Sequence, residues 1–294
     1  MLRNLSAALV LGLFLSQTTF AAPSIAYAKV KAAGTVAHVV TVNLADKNVR
    51  LSVALPQGGV GATESFKSIV RRVRPYAAMT GTFYDTRTYI PTGDIALCGK
   101  LVHSGCVGSA ICIDKDNKAS VARRSSTCAE RWEGFETVLC AGPTLVRNGV
   151  VAIALRHEGF RRSLLASARR TGIGVTAKGK LLLVAVNRRC SLYRFAKLMI
   201  KCGAVEALCL DGGSSTGFYQ AGKFLAVPSR AMTNVIVVYE TVGEYDKALH
   251  ALAPARLLAR METPWIPETE PRLPHPPIVL PPTAAQPLPL GASQ

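Results

Sequence analysis

The sequence is poor in aromatic and acidic residues. Aromatics make up 6% of its 294 residues, and 18 Asp and Glu face 35 Lys and Arg, leaving a net charge of +17. Such a chain favours anionic surroundings. Its arginines, however, come as scattered pairs (Arg71-Arg72, Arg123-Arg124, Arg161-Arg162, Arg169-Arg170, Arg188-Arg189), not as one stripe interleaved with aromatics. A nucleic-acid groove is therefore not the expected use of the charge, and no nucleic acid is expected among the partners. No Cys-x-x-Cys or Cys/His cluster occurs, which argues against a zinc site, and neither a metal nor another cofactor is expected. Internal repeats are also missing, as is a twin arginine ahead of the N-terminal apolar run. The apolar run Leu5 to Leu15 is too short to span a bilayer.

That run fits a different use. Arg3 precedes it, and small-residue patterns follow at Thr19-Phe20-Ala21 and Ala26-Tyr27-Ala28, the order found in a secretory signal peptide. Residues 1–28 are read as that signal, with the mature chain starting between Ala22 and Lys29 and no stable membrane span left after cleavage. The expected location is periplasmic or secreted, by the general route. Eight cysteines in such a compartment suggest disulfides. Cys98 with Cys106, or Cys112 with Cys128, could close short loops, and the pairing stays open. Cys140 and Cys209 sit in apolar runs and read as buried thiols.

With 49% hydrophobic residues, the exported part has ample material for a core. It reads as one α+β domain over 34–240, a mixed, largely antiparallel sheet flanked by a few helices. Val36 to Leu44 and Val49 to Leu55 are expected to pair about the turn Ala45-Asp46-Lys47-Asn48. Thr63 is expected to cap a short helix to Val73, stopped by Pro75. Leu145-Val146 and Val150 to Ile153 flank the hairpin turn Arg147-Asn148-Gly149. Further on, strands Ile173 to Thr176 and Leu181 to Val186, a helix capped by Ser191, and strand Val205 to Leu210 imply a crossover between parallel strands. A helix is expected over 241–262. Residues 263–294, with ten of the seventeen prolines from Pro264 onward, read as a disordered tail.

Asp211 ends the last of those strands, where ligands of such units gather. It opens Asp211-Gly212-Gly213-Ser214-Ser215-Thr216-Gly217. Adjacent glycines can turn backbone N–H groups inward as an anion nest, and the hydroxyls add donors. Asp211 could accept a proton, attack carbon or orient a sugar hydroxyl. A glycine turn whose aspartate caps its own backbone is the bland alternative. Gly213 to Gly217 also fits the Gly-x-Ser-x-Gly elbow of serine hydrolases, but that motif needs a helix directly after the serine. Phe218 to Phe224 reads instead as two short strands about a turn. Asp246 and His250, or His275 in the tail, supply no credible relay.

Other pieces repeat the theme. "TGTFYD" (80–85), "PTGDIALCGKLV" (91–102), "AGPTLVRNG" (141–149), "RRTGIGVTAKGKLLLV" (169–184), "EALCLDGGSSTGFY" (206–219) and "PSRAMTNVIVVY" (228–239) occur in that order. Together they resemble the phosphodiester glycosidase family, from about Met79 to Tyr239. Thr80, Thr82, Cys209 and Ser214 depart from its usual residues. The resemblance implies a hydrolase that cleaves the bond between a sugar's anomeric carbon and a phosphodiester. It implies Asp211 and Asp94 as catalytic carboxylates, and Gly81, Thr82, Arg170, Thr171, Gly212, Gly213, Ser214, Ser215 and Arg230 as substrate and phosphate contacts. The implied partner is a sugar-phosphate or anionic glycan of envelope or exopolysaccharide material. The alternative is a non-catalytic binding or assembly protein for anionic glycan on the same fold.

Overall fold

Alternating and continuous apolar runs sort the chain into strands. A computed structural model, describing residues 23–105, 107–123 and 132–257, arranges them in three sheets. Strands β1 (Ile25–Ala32), β2 (Thr35–Val42) and β3 (Arg50–Ala54) precede helix α1 (Phe66–Val73) and β4 (Ala77–Thr80). Next come β5 (Ile95–Leu97), β6 (Lys100–His103), β7 (Ser109–Asp114), β8 (Ala119–Arg123) and β9 (Phe135–Cys140). They are followed by β10 (Thr144–Arg147), β11 (Val150–Val151), β12 (Ala168–Thr176), β13 (Leu181–Cys190), helix α2 (Leu192–Lys201) and β14 (Ala204–Leu210). The described part closes with β15 (Phe218–Gln220), β16 (Lys223–Ala226), β17 (Val235–Tyr239) and helix α3 (Val242–Leu252).

The sheet orders are β1-β2-β13-β12-β14-β10-β11, β16-β15-β4-β17-β3 and β6-β5-β9-β7-β8. The fold is α+β and largely antiparallel, as expected. β12 pairs antiparallel with both β13 and β14, so those two run parallel with β12 between them and α2 crossing over. Ser191 caps α2 by accepting from the Arg194 N–H. The Asn148-Gly149 turn joins β10 to β11 with both residues at positive φ, 49° and 75°, the geometry a two-residue hairpin loop requires.

Side-chain alternation explains the layers. On β13, Leu181, Leu183 and Ala185 enter a core shared by all three sheets, while Leu182, Val184 and Val186 pack with Phe195 and Met199 of α2. β17 divides likewise: Ile236 and Val238 face the shared core, and Val235, Val237 and Tyr239 pack with Phe66, Ile69 and Leu252 of α1 and α3. Strands covered on both faces read as unbroken apolar runs.

Several expectations are corrected. β2 and β3 do not pair with each other; β2 joins β13 and β3 joins β17, in different sheets. The chain swings between sheets at 43–49, where Asn117 donates its side-chain amide to the Leu44 and Val49 carbonyls at 2.9 and 3.1 Å. Ser65, not Thr63, caps α1, and Arg74 ends it in the left-handed conformation. The first sheet begins at Ile25 rather than at 34. Helix α3 ends at Leu252; residues 258–262 and the proline-rich tail lie outside the described residues. So do most of the signal segment, Cys106 and Cys128. Cys98, Cys190, Cys202 and Cys209 carry free thiols, and the Cys98 sulfur lies 3.6 Å from the Tyr245 hydroxyl. Among the described residues no helix is long and apolar enough to cross a membrane.

Candidate active site

The carboxyl ends of two strands from different sheets meet here. β14 ends at Leu210 and β4 at Thr80, and the Asp211 N–H donates to the Gly81 carbonyl at 3.1 Å. Thr80 locks the two loops together: its hydroxyl donates to the Ser215 carbonyl at 2.5 Å and accepts from the Gly217 N–H at 2.7 Å. Asn234 supports the other side, its Oδ1 accepting from the Thr82 N–H at 2.7 Å. Gly81 is required by that approach, since a Cβ there would lie 1.8 Å from Asn234 Oδ1. Thr171 donates from its hydroxyl to the Asp211 carbonyl. Both Thr82 and Thr171 are buried.

Asp211 is half-buried, with Oδ1 accepting its neighbour Gly212's N–H at 2.9 Å. Loss of solvent pushes its carboxyl up from 3.8 to about 6, against the opposite pull of the Ser215 hydroxyl, the Gly212 N–H and the Arg230 charge. Gly212 is extended, and Gly213 alone takes positive φ, +59°, opening a 3-10 turn over Gly213–Ser215. The expected nest is therefore modified: the Gly212 N–H is engaged by Asp211 itself.

The following hydroxyls are the more informative donors. Ser215 and Thr216 are fully buried, and Ser215 Oγ, Thr216 Oγ1 and Arg169 Nε have no hydrogen-bond partner among the described residues. Ser215 does lie beside the Asp211 carboxyl and the Tyr84 hydroxyl, shifting the acidity of both, without reaching hydrogen-bond geometry. Unpartnered buried polar atoms are uncommon, yet these three fall in or against one seven-residue turn. Arg169 reaches that turn directly, Nη2 donating to the Thr216 carbonyl at 3.2 Å. Ser214 is exposed, its carbonyl accepting from the Ser229 N–H at 2.9 Å.

Arg230 completes the cluster. It is exposed, with its guanidinium carbon 5.3 Å from the centre of the Tyr84 ring, a cation–π arrangement. Its charge acts on both Asp211 and Tyr84. Burial pushes the Tyr84 phenol up, as does the Asp211 charge, while Arg230 opposes. The phenol stays protonated and donates to the Ala231 carbonyl at 3.2 Å.

Two expected members stand apart. Arg170 is buried, its Nε donating to the Cys190 carbonyl at 3.3 Å and its Nη2 to the carbonyls of Leu164, at 2.8 Å, and Ala166. A guanidinium engaged by three main-chain carbonyls is a strut, not a phosphate clamp. Asp94 is also buried: Oδ1 accepts from the Gly105 N–H at 2.7 Å and Oδ2 from the Trp132 indole at 2.9 Å. It is not among the groups acting on Asp211. The residues sequence reasoning missed are Arg169 and Tyr84, whereas Thr216 was among the expected hydroxyl donors. Alternation along β12 was the available signal, because Arg169 and Arg170 must face opposite ways. Among the described residues, no three His, Cys, Asp or Glu side chains gather to hold a metal ion.

The phosphodiester glycosidase family model matches residues 74–239. The bovine N-acetylglucosamine-1-phosphodiester alpha-N-acetylglucosaminidase is 26% identical over 230 residues, 67% of this chain and 44% of its own length. The chain thus spans less than half of that relative. The zebrafish catalytic domain of the same name, described as auto-inhibited by its pro-peptide, superposes with a TM-score of 0.62 at 22% identity, over 73% of this chain and 82% of its own. A hypothetical protein from Synechocystis gives the same TM-score, 0.62, at 18% identity over 73% of this chain and 61% of its own. The family match covers more than half of the chain and runs through Tyr84, Arg169, Asp211 and Arg230; this chain belongs to the phosphodiester glycosidase family, which supports a glycosidase-like function.

Proposed function

We propose that the protein is an exported hydrolase of a sugar-1-phosphodiester, acting on envelope or exopolysaccharide material. The observation that carries this reading is the buried donor set Ser215 Oγ, Thr216 Oγ1 and Arg169 Nε beside Asp211. Phosphate oxygens accept well from hydroxyls and guanidinium groups. Arg230, at the exposed lip, adds a second cation. The apolar N-terminal run behind Arg3 supports export.

In the reaction the bond between the anomeric carbon and the phosphate oxygen breaks, and its electron pair leaves with the phosphate monoester. Water attacks the carbon, and its proton passes to the Asp211 carboxylate, giving the free sugar. A phosphate leaving group needs charge stabilisation more than a strong acid. Arg169, Arg230 and the two hydroxyls supply it. Asp94, with both oxygens already accepting protein hydrogen bonds, takes no part.

The test is a panel of sugar 1-(methyl phosphate) diesters, followed for free sugar and methyl phosphate in equal amounts. Asp211→Asn is expected to lower release by about 10²–10⁴-fold, the usual contribution of a positioned base. A protein that binds anionic glycan but releases sugar from no diester would instead be the non-catalytic assembly factor.

A further inference from the structure

A groove adjoins the Asp211 turn, lined by Ser65, Phe66, Lys67 and the segment Val227 to Ala231. It shares a wall with the candidate site at three points. Arg230 lines the groove and also lies over Tyr84, acting on Asp211. Ser229 donates its N–H to the Ser214 carbonyl at 2.9 Å. Gly217 fills the gap behind: a Cβ there would come within 3.0 Å of both Phe66 and Pro228.

The charge of the lining has one sign. Lys67 and Arg230 are both exposed, and among the described residues no acidic one lines the groove. Glu64, the nearest acid along the chain, is turned to Arg72 at 2.7 Å, to the Ser68 hydroxyl and to the Gln57 N–H. The Lys67 ammonium is held 5.8 Å from the Phe224 ring centre, and Arg230 has no ion pair among the described residues.

We propose that this groove receives the leaving-group side of the substrate and selects one that carries a second anionic group. The inference rests on the hydrolase reading above, which puts the scissile phosphate between Arg169 and Arg230. With that phosphate at Arg230, the chain beyond it runs along Phe66, Val227 and Pro228, where Lys67 meets the next negative charge. The matching substrate class is a glycan in which phosphodiester links recur, or whose sugar phosphate is esterified to an alcohol bearing phosphate or carboxylate. Neutral alcohols would fill the apolar floor and leave Lys67 unused.

Two unreactive probes test this without turnover: methyl phosphate, and the bisphosphate of propane-1,3-diol, each titrated calorimetrically at low salt. The protein is expected to bind the bisphosphate about fivefold more tightly than methyl phosphate, the size of a favourable exposed ion pair. Lys67→Ala should close that gap without changing methyl phosphate affinity, and Lys67→Glu should reverse it. Lys178→Ala, at the other end of β12, should leave it intact. Equal affinity of the wild type for both probes overturns the proposal. So does a gap that survives Lys67→Ala or that Lys178→Ala narrows equally, since the preference then belongs to net charge. Failure of the hydrolase reading looks different: no sugar release from any methyl diester, with the Lys67-dependent gap still present.

Discussion

The main-chain N–H of Asp211 donates to the carbonyl of Gly81 across 3.1 Å, tying the end of a seven-stranded sheet to the end of a five-stranded one. The candidate carboxylate is thereby placed through its own main chain, whose N–H is held by Gly81 and whose carbonyl accepts from the Thr171 hydroxyl. Replacing Gly81 by Ala would drive a methyl group into Asn234 Oδ1. Either Asn234 gives up its bond to the Thr82 N–H or the two loops part. A loss of stability of about 1–3 kcal/mol is expected from the unmade buried bond alone, read by denaturant titration, together with loss of activity.

The carboxyl of Asp211 gives a pH signature. Its value in the folded protein, about 6, lies above the ordinary 3.8. As the proposed base it would work only when ionised, so kcat/KM should rise with pH and level off above about 6. The stability term has the opposite sense. The folded state binds this proton more tightly than the unfolded chain, so stability contributed by the group is full below pH 4 and lost as pH rises towards 6. Asp211→Asn should therefore be inactive and at least as stable at neutral pH. Each kcal/mol relieved should raise Tm by about 2–4 °C for a chain of this size.

Neighbouring arginines on β12 should separate cleanly. Arg169→Met is expected to lower kcat/KM for diesters by tenfold or more, on the scale of about 1.4 kcal/mol per decade, with little change in folding. Arg170→Met removes donors from three carbonyls and is expected to cost about 3 kcal/mol of stability. If Arg170→Met folds normally and loses only turnover, the division of labour between the two is reversed.

Tyr84 is expected to act through its ring. Tyr84→Phe keeps the face on which the Arg230 guanidinium rests and should retain most activity. Tyr84→Ala removes it and should raise KM for a diester severalfold, since such contacts are worth about 0.5–1 kcal/mol at exposed sites.

Processing offers a separate check. Ile25 is buried in the shared core, and β1 pairs with β2 from Ile25↔Val42 to Ala32↔Thr35. Cleavage after Ala21 keeps that strand whole, whereas cleavage after Ala28 would cut it in half. If the chain is exported as proposed, N-terminal sequencing of the processed form is expected to begin at Ala22.

Much of this was legible in the sequence wherever the cause is local. The Ser191 cap, the Asn148-Gly149 turn and the β13-α2-β14 crossover follow from spacing and turn chemistry. Asp211 at a strand end was legible for the same reason. What was not legible depends on distant partners. Nothing near β2 and β3 tells that they belong to different sheets, because the Asn117 amide that fixes the corner lies about seventy residues on. Asp94 looked chemically promising until Trp132 and Gly105 were seen to engage it. Arg170 matched a motif by position, but the strand's alternation gives the turn to Arg169.

The turn at 211–217 has one energetic consequence. Ser215 Oγ, Thr216 Oγ1 and Arg169 Nε leave bulk solvent when the chain folds and make no well-formed hydrogen bond to an acceptor among the described residues in return. Dehydrating such groups costs about 1–3 kcal/mol apiece, and the cost falls on the native state before any ligand arrives. On the function proposed above, an oxyanion docking against them would meet donors already dehydrated, and its affinity would draw on relief of that cost.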